Sequence, residues 1–206
     1  MSATEKGRLI VVSGPSGAGK GTILAEVLKS PEYVYSVSAT TRTARKGEIN
    51  GKHYFFLQRD EFEDLIARGG LIEYAEYNGN YYGTPYDFVN ENLKNGKNVI
   101  LEIEVQGAMK IKHAVPDALF IFMTPESRTE LEERLRGRGT EEDDVISGRL
   151  AIADRELPSA FLYDYVIFNE RGKQEKAVED FFAAVRASTL TPLNQYDRLK
   201  TYFYKK

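Results

Sequence analysis

Cysteine is missing from all 206 residues, which excludes disulfide frameworks and thiolate metal sites. Only two histidines occur, His53 and His113, too few for a histidine-rich metal centre. Neither has a serine, cysteine or metal-ligand partner at usable spacing. Both therefore read as structural, His53 in a strand and His113 at the end of a helix. No apolar run approaches the roughly 18 residues of a membrane span. Residues 1–8 lack the apolar core of a secretion signal, so the cytoplasm is the expected compartment and no membrane is involved. Net charge is only −3, so no basic field exists to hold nucleic acid, and any basic residue that matters acts locally. The remainder is ordinary: 42% apolar and 29% charged residues suit one soluble domain with a sizeable core.

Residues 8–13 (RLIVVS) form a short apolar run, the pattern of a strand buried on both faces. A glycine-rich turn follows, and then 22–29, where Ile23, Leu24, Val27 and Leu28 have helical spacing. Runs of the first kind recur at 98–103, 118–123 and 165–168, separated by helical patterns, and 33–37 supplies a fifth strand. The chain reads as βα units around a parallel five-stranded sheet, an α/β fold.

Two segments break this rhythm. Residues 38–92 carry alternating strands at 52–57 and 71–77, turns at Asn50-Gly51 and Asn78-Gly79, and many tyrosines, as a small mixed sheet inserted into the core would. Residues 125–157 read as a charged helix-turn-helix around Gly137-Arg138-Gly139-Thr140. Pro125 is expected in the first turn of its first helix, and Gly137 and Gly139 are expected to end it. Residues 1–37, 93–124 and 158–206 remain as the core of a single domain. The tail from 189 shows no pattern.

Gly14, Pro15, Ser16, Gly17, Ala18, Gly19, Lys20, Gly21 and Thr22 follow the first strand and open the first helix, the context of a P-loop for ATP. Glycines let successive backbone N–H groups curl around phosphate oxygens, and the helix N-terminus adds a favourable dipole. Lys20 adds a point charge at the β/γ-phosphates. Gly21 separates Lys20 from the hydroxyl that usually follows directly, so Thr22 reaches Mg²⁺ either directly or through a water. A merely flexible glycine-rich turn is the plain alternative, and the strand–loop–helix context with its lysine argues against it. Such a loop names the nucleotide and not the reaction.

Arg42 and Arg45 stand close enough in sequence to clamp one phosphate dianion. Glu73 lies on a predicted strand, and residues 80–84 supply phenol and hydroxyl donors. Arg134, Arg136, Arg138 and Arg149 bracket the glycine-rich turn of the charged helix pair. Phosphoryl transfer needs positive charge around the moving group more than it needs acid–base chemistry. Arg136 and Arg155 fit the plainer role of partners in solvated Glu–Arg pairs.

Taken together, these residues resemble the guanylate kinase family over roughly 7–185. The motifs are Gly14-Pro15-Ser16-Gly17, Thr40-Thr41-Arg42-Thr43 with Arg45, Gly47-Glu48, Gly51-Lys52, Tyr54, Ile72-Glu73, Tyr81-Tyr82-Gly83, Gln106-Gly107 and Gly137-Arg138-Gly139-Thr140. The resemblance implies a P-loop kinase core with an inserted GMP-binding region and a short lid, and ATP and GMP as partners, with Mg²⁺. It implies that Ser38, Glu73 and Thr84 contact guanine, and that Arg42, Arg45, Tyr54 and Tyr82, with Glu48 in the same set, hold the GMP phosphate. Glu102 and Glu104 would lie near guanine or the Mg²⁺ water shell. Lys20, Arg45, Arg138 and Arg149 would be catalytic, Arg134 would assist at the ATP phosphates or adenine, and Asn169 would stand beside adenine.

Base chemistry points the same way. A carboxylate at Glu73 accepts from guanine N1–H and the N2 amine, whereas adenine offers an acceptor at N1 and no N2 amine. Hydroxyls of Ser38 and Thr84 are able to donate to O6. The alternatives are a non-catalytic guanylate-kinase-like binding module and a kinase for another nucleoside monophosphate; the sequence leaves the oligomeric state open.

Overall fold

The computed structural model describes residues 6–77, 79–137 and 142–204. Along the chain, β1 (Leu9–Ser13) leads into α1 (Lys20–Val27), β2 (Tyr33–Tyr35), β3 (Ala39–Thr40) and β4 (Phe55–Phe56). Then come α2 (Arg59–Ala67), β5 (Leu71–Tyr77), β6 (Asn80–Pro85), α3 (Tyr86–Lys94), β7 (Asn98–Glu102) and α4 (Val105–Ala114). The rest is β8 (Leu119–Thr124), α5 (Arg128–Arg136), α6 (Asp143–Glu156), a 3-10 helix (Leu157–Leu162), β9 (Tyr165–Phe168), α7 (Gln174–Ser188) and α8 (Tyr196–Tyr204). The fold is α/β, with the expected five-stranded parallel sheet and a separate four-stranded one. No helix among the described residues is long and apolar enough to cross a membrane. Contacts divide the chain into two compact units, one holding residues up to 13 and 28–120, the other 14–27 and the chain from 121 onward.

In the first unit β2, β7 and β1 run parallel, with Val34 beside Val99 and Ile10 beside Ile100. All five residues of β1 are buried, which is why it reads as a continuous apolar run and not as an alternation. The same unit carries the small sheet, ordered β4-β3-β6-β5, whose β5 and β6 form an antiparallel hairpin. Helix α2 starts at a capping box in which the Glu61 carboxylate accepts the Gln58 N–H at 2.7 Å. It delivers Phe62, fully buried and stacked on the Tyr81 ring at 5.2 Å.

In the second unit β8 pairs in parallel with β9, Ile121 opposite Tyr165, and all six β8 residues are buried. Helix α1 buries Ile23, Leu24 and Val27. Helices α5 and α6, the charged pair expected at 125–157, close on an apolar seam of Leu131, Leu135, Ile146, Leu150 and Ala153.

Several local expectations are corrected. Only Phe55–Phe56 of the run 52–57 is strand, because the Lys52 and His53 N–H groups bond back to the Ile49 carbonyl at 3.2 and 3.0 Å and close a turn. His53 sits in that turn, where its Nδ1 accepts the Ile49 N–H at 2.9 Å. Pro125 lies outside α5, whose cap is Ser127, with Oγ accepting from Glu130 N–H at 3.1 Å. The first helix begins at Lys20 and ends at Val27, shifted from 22–29. The tail holds α8, which buries none of its residues. Gly137 caps α5 as expected, whereas Gly139 lies outside the described residues.

Phe62→Ala should cost about 3–5 kcal/mol, the usual penalty for emptying a fully buried aromatic site. Hydrogen exchange should then quicken at β3, β5 and β6 and stay unchanged in α5 and α6. Equal acceleration in both units would show that the small sheet does not depend on this ring.

Candidate active site

The glycine-rich loop is shaped by sterics. Gly14 has φ +147°, and a Cβ there would stand 1.9 Å from the Met123 carbonyl oxygen. Gly19 has φ +83°, and its Cβ would stand 2.3 Å from Asn169 Nδ2. Both positions need glycine. The Ala18 carbonyl between them accepts from Asn169 Nδ2 at 2.8 Å and from Arg134 Nη1 at 3.1 Å. Arg134 also donates to Glu130 and to the Asn169 carbonyl. Arg149 reaches the loop from α6, with Nη1 3.1 Å from Ser16 Oγ.

Lys20 Nζ donates to the carbonyls of Gly14 (2.6 Å) and Pro15 (3.3 Å), which folds its charge back over the loop. Thus Lys20, Arg134, Arg149 and Asn169 all come to one loop at the N-terminus of α1, a natural place for phosphate. Thr22 is exposed in the first turn of α1. Arg138 lies outside the described residues. Arg136 instead pairs with Glu132 at 2.9 Å and with Asp143, on the solvated face.

The first unit holds a cavity of about 310 Å³ lined by Ser38, Tyr54, Glu73, Tyr82, Glu102, Glu104, Gln106, Gly107 and Lys110. Glu73 comes from β5 and Thr84 from β6, and the fully buried Thr84 hydroxyl donates to Glu73 Oε1 at 2.8 Å. Burial pushes the Glu73 carboxyl above the usual carboxylate range, against the Thr84 hydrogen bond and the Lys110 charge. Gly107 lies against this group, where a Cβ would make an ordinary contact 3.5 Å from Glu73 Oε2. Thr84 was expected to donate toward a base, but its one proton goes to Glu73. Beside Glu73, Glu102 Oε2 accepts from the Tyr35 hydroxyl at 3.3 Å.

The arginine loop adjoins this cavity through Tyr54. Arg42 stacks over the Tyr54 ring at 5.4 Å, and Tyr54 meets Tyr82 edge-on at 6.1 Å. Glu48 spans the loop: Oε1 accepts from Arg42 Nη2 at 2.8 Å and Oε2 accepts the Arg45 N–H at 2.6 Å. The Arg42 hydrogen bond, and then the Arg45 N–H, hold the Glu48 carboxyl down to about 2. Glu48 therefore holds the Arg42 guanidinium and the Arg45 backbone together, whereas the sequence had grouped it with the GMP-binding residues.

Sequence reasoning missed Lys110 and Tyr35. Lys110 was findable, one turn beyond Gly107 on α4; Tyr35, on a short edge strand, gave no signal. A second cavity of about 520 Å³ lies in the other unit among Leu131, Leu157, Phe161 and Val166. It is apolar, and its cation Arg128 is held by Asp154 at 3.1 Å. A phosphate finds little there.

The family model described as guanylate kinase matches residues 6–187. The chain belongs to the guanylate kinase family. The guanylate kinase of Streptococcus thermophilus (strain CNRZ 1066) is 55% identical over 169 residues, 81% of each chain. That of Lactococcus lactis subsp. lactis (strain IL1403) is 53% identical over 168 residues, covering 81% of this chain and 82% of the relative. A crystal structure of guanylate kinase from Anaplasma phagocytophilum superposes with a TM-score of 0.68 at 34% identity, covering 91% of this chain and 88% of that one.

For this guanylate kinase family member, the raised proton affinity of Glu73 has a stability consequence. The folded state binds that proton more tightly than the unfolded chain does. Stability is therefore lost as pH rises from the ordinary carboxylate value through the raised one. Glu73→Gln removes the term while leaving an oxygen for Thr84. Melting curves between about pH 4 and 8 should show the variant at least as stable as wild type above that window, with a flatter pH dependence. A variant less stable at the alkaline end would contradict the desolvated carboxylate.

Proposed function

We propose that this chain transfers the γ-phosphoryl of ATP to GMP, with dGMP as an alternative acceptor, giving ADP and the nucleoside diphosphate. The observation that carries the base assignment is the half-buried Glu73 carboxylate held by Thr84 in a cavity next to the arginine loop. With its hydroxyl proton committed, Thr84 steers the carboxylate so that Glu73 presents acceptors to guanine N1–H and the N2 amine. Adenine would bring a lone pair to that carboxylate and be repelled. Ser38 remains as the hydroxyl for O6, and Glu102 and Glu104 stand at the base edge.

Arg42, held by Glu48, and Arg45 clamp the acceptor phosphate with Tyr54 and Tyr82. An oxygen of that phosphate attacks the γ-phosphorus of ATP, and the bond to the β-phosphate oxygen breaks, releasing ADP. The acceptor phosphate is already an anionic nucleophile, so catalysis rests on alignment and charge neutralisation. Lys20, Arg149 and, from sequence, Arg138 supply that charge. Arg134 and Asn169 hold the loop around Ala18 and face the adenine end.

Mg²⁺ fits the donors present. Among the described residues no group of three or more carboxylate, histidine or cysteine side chains is placed to hold a metal ion. That suits an ion carried mainly by nucleotide phosphates and water, with Thr22 as the hydroxyl that would hold it, directly or through water. When bound, it would offset the negative charge of the phosphates.

A binding module without catalysis would have no use for Lys20 and Arg149 gathered on one phosphate loop. Assayed on a panel of monophosphates, the enzyme should release ADP fastest with GMP and dGMP and far more slowly with AMP, CMP or UMP. Glu73→Gln should lower kcat/KM for GMP by roughly 10–10³, the worth of a bidentate base contact plus an unpaired donor, while Kd for ATP stays unchanged. Equal turnover with AMP would remove the guanine assignment and leave the ATP loop intact.

A further inference from the structure

Of the side chains lining the acceptor cavity, three are carboxylates and one is a cation. Glu73 comes from β5, Glu102 and Glu104 from the end of β7, and Lys110 from α4. The phenols Tyr54 and Tyr82 complete the titratable groups facing it. Lys110 Nζ donates to the Tyr74 carbonyl at 3.0 Å, so its ammonium head is fastened to the strand that carries Glu73, at the next residue.

Thr84 cannot by itself select the charge state of Glu73. A hydroxyl donates to a carboxylate and accepts equally well from a carboxylic acid. An ammonium group has only donors and a fixed preference for the anion. A protonated Glu73 would turn an O–H toward the donors of guanine and lose its purpose.

We propose that Lys110 is a positioning residue for base recognition, keeping Glu73 ionised so that acceptor binding survives mildly acidic conditions. The inference rests on the guanine reading above and deepens it. Burial is the main push on Glu73 toward protonation, with Thr84 and Lys110 opposing it.

Carbon-13 carboxyl NMR of the glutamate-labelled full chain follows Glu73 directly, its signal assigned by loss in Glu73→Gln. Lys110→Met should raise the Glu73 midpoint by roughly half a pH unit, the worth of a screened opposite charge across several ångströms. Lys110→Arg should leave it in place. KM for GMP of Lys110→Met relative to wild type should worsen about threefold as pH falls through that midpoint. Ionisation of the GMP phosphate cancels in this ratio. A midpoint unmoved in Lys110→Met, a ratio flat with pH, or failure of Lys110→Arg to behave as wild type would each overturn the inference. Should Glu73→Gln use GMP as well as wild type, the guanine reading falls, and the NMR midpoint still decides the coupling.

Discussion

The hydrogen bond from the Thr84 hydroxyl to Glu73 fixes where the Glu73 carboxyl sits in the acceptor cavity. Its geometry depends on the β5–β6 hairpin, whose register shifts between Leu71 and Tyr74 around Glu73 and which Phe62 supports from α2 through Tyr81. The result is an acceptor kept partly out of water, where a wrong base costs more than it would on the surface. Along the same wall, Tyr54 carries Arg42, and Glu48 locks Arg42 to the Arg45 backbone. The residues proposed to read the base and to clamp the phosphate thus meet at one small sheet.

In the other unit the organising atom is the Ala18 carbonyl. One oxygen accepts from Arg134 on α5 and from Asn169 just after β9, so the loop, the charged helix pair and the strand end are tied at one point. Glycine at 14 and 19 permits the approach. Removal of Asn169 would therefore act on loop shape as well as on any contact with adenine.

Much of this was legible in the sequence, for identifiable reasons. Strands of the core sheet read as unbroken apolar runs, so β1, β7, β8 and β9 announced themselves, although β9 leaves Val166 and Phe168 exposed. The loop at 14–22 was plain because glycine and lysine there have few other uses between a strand and a helix. The stretch 52–57 misled because aromatic alternation suits a strand, while hydrogen bonds from Lys52 and His53 back to the Ile49 carbonyl make a turn. Pro125 looked like a helix start, yet the hydroxyl of Ser127 two residues on is the better cap. The helix α8 escaped notice because its pattern has no buried partner to give it meaning. Lys110 escaped because an exposed lysine looks like any other until the strand beside it is known.

If the Glu73–Thr84 pair reads guanine, the N2 amine is where the reading is tested most directly. Calorimetric binding of GMP and IMP, which differ only by that amine, isolates it. Wild type should prefer GMP by about 1–3 kcal/mol, and Glu73→Gln should lose most of that gap. An equal preference for GMP over IMP in wild type and variant would mean that guanine is recognised by some other group, and the central role given to Glu73 would be wrong.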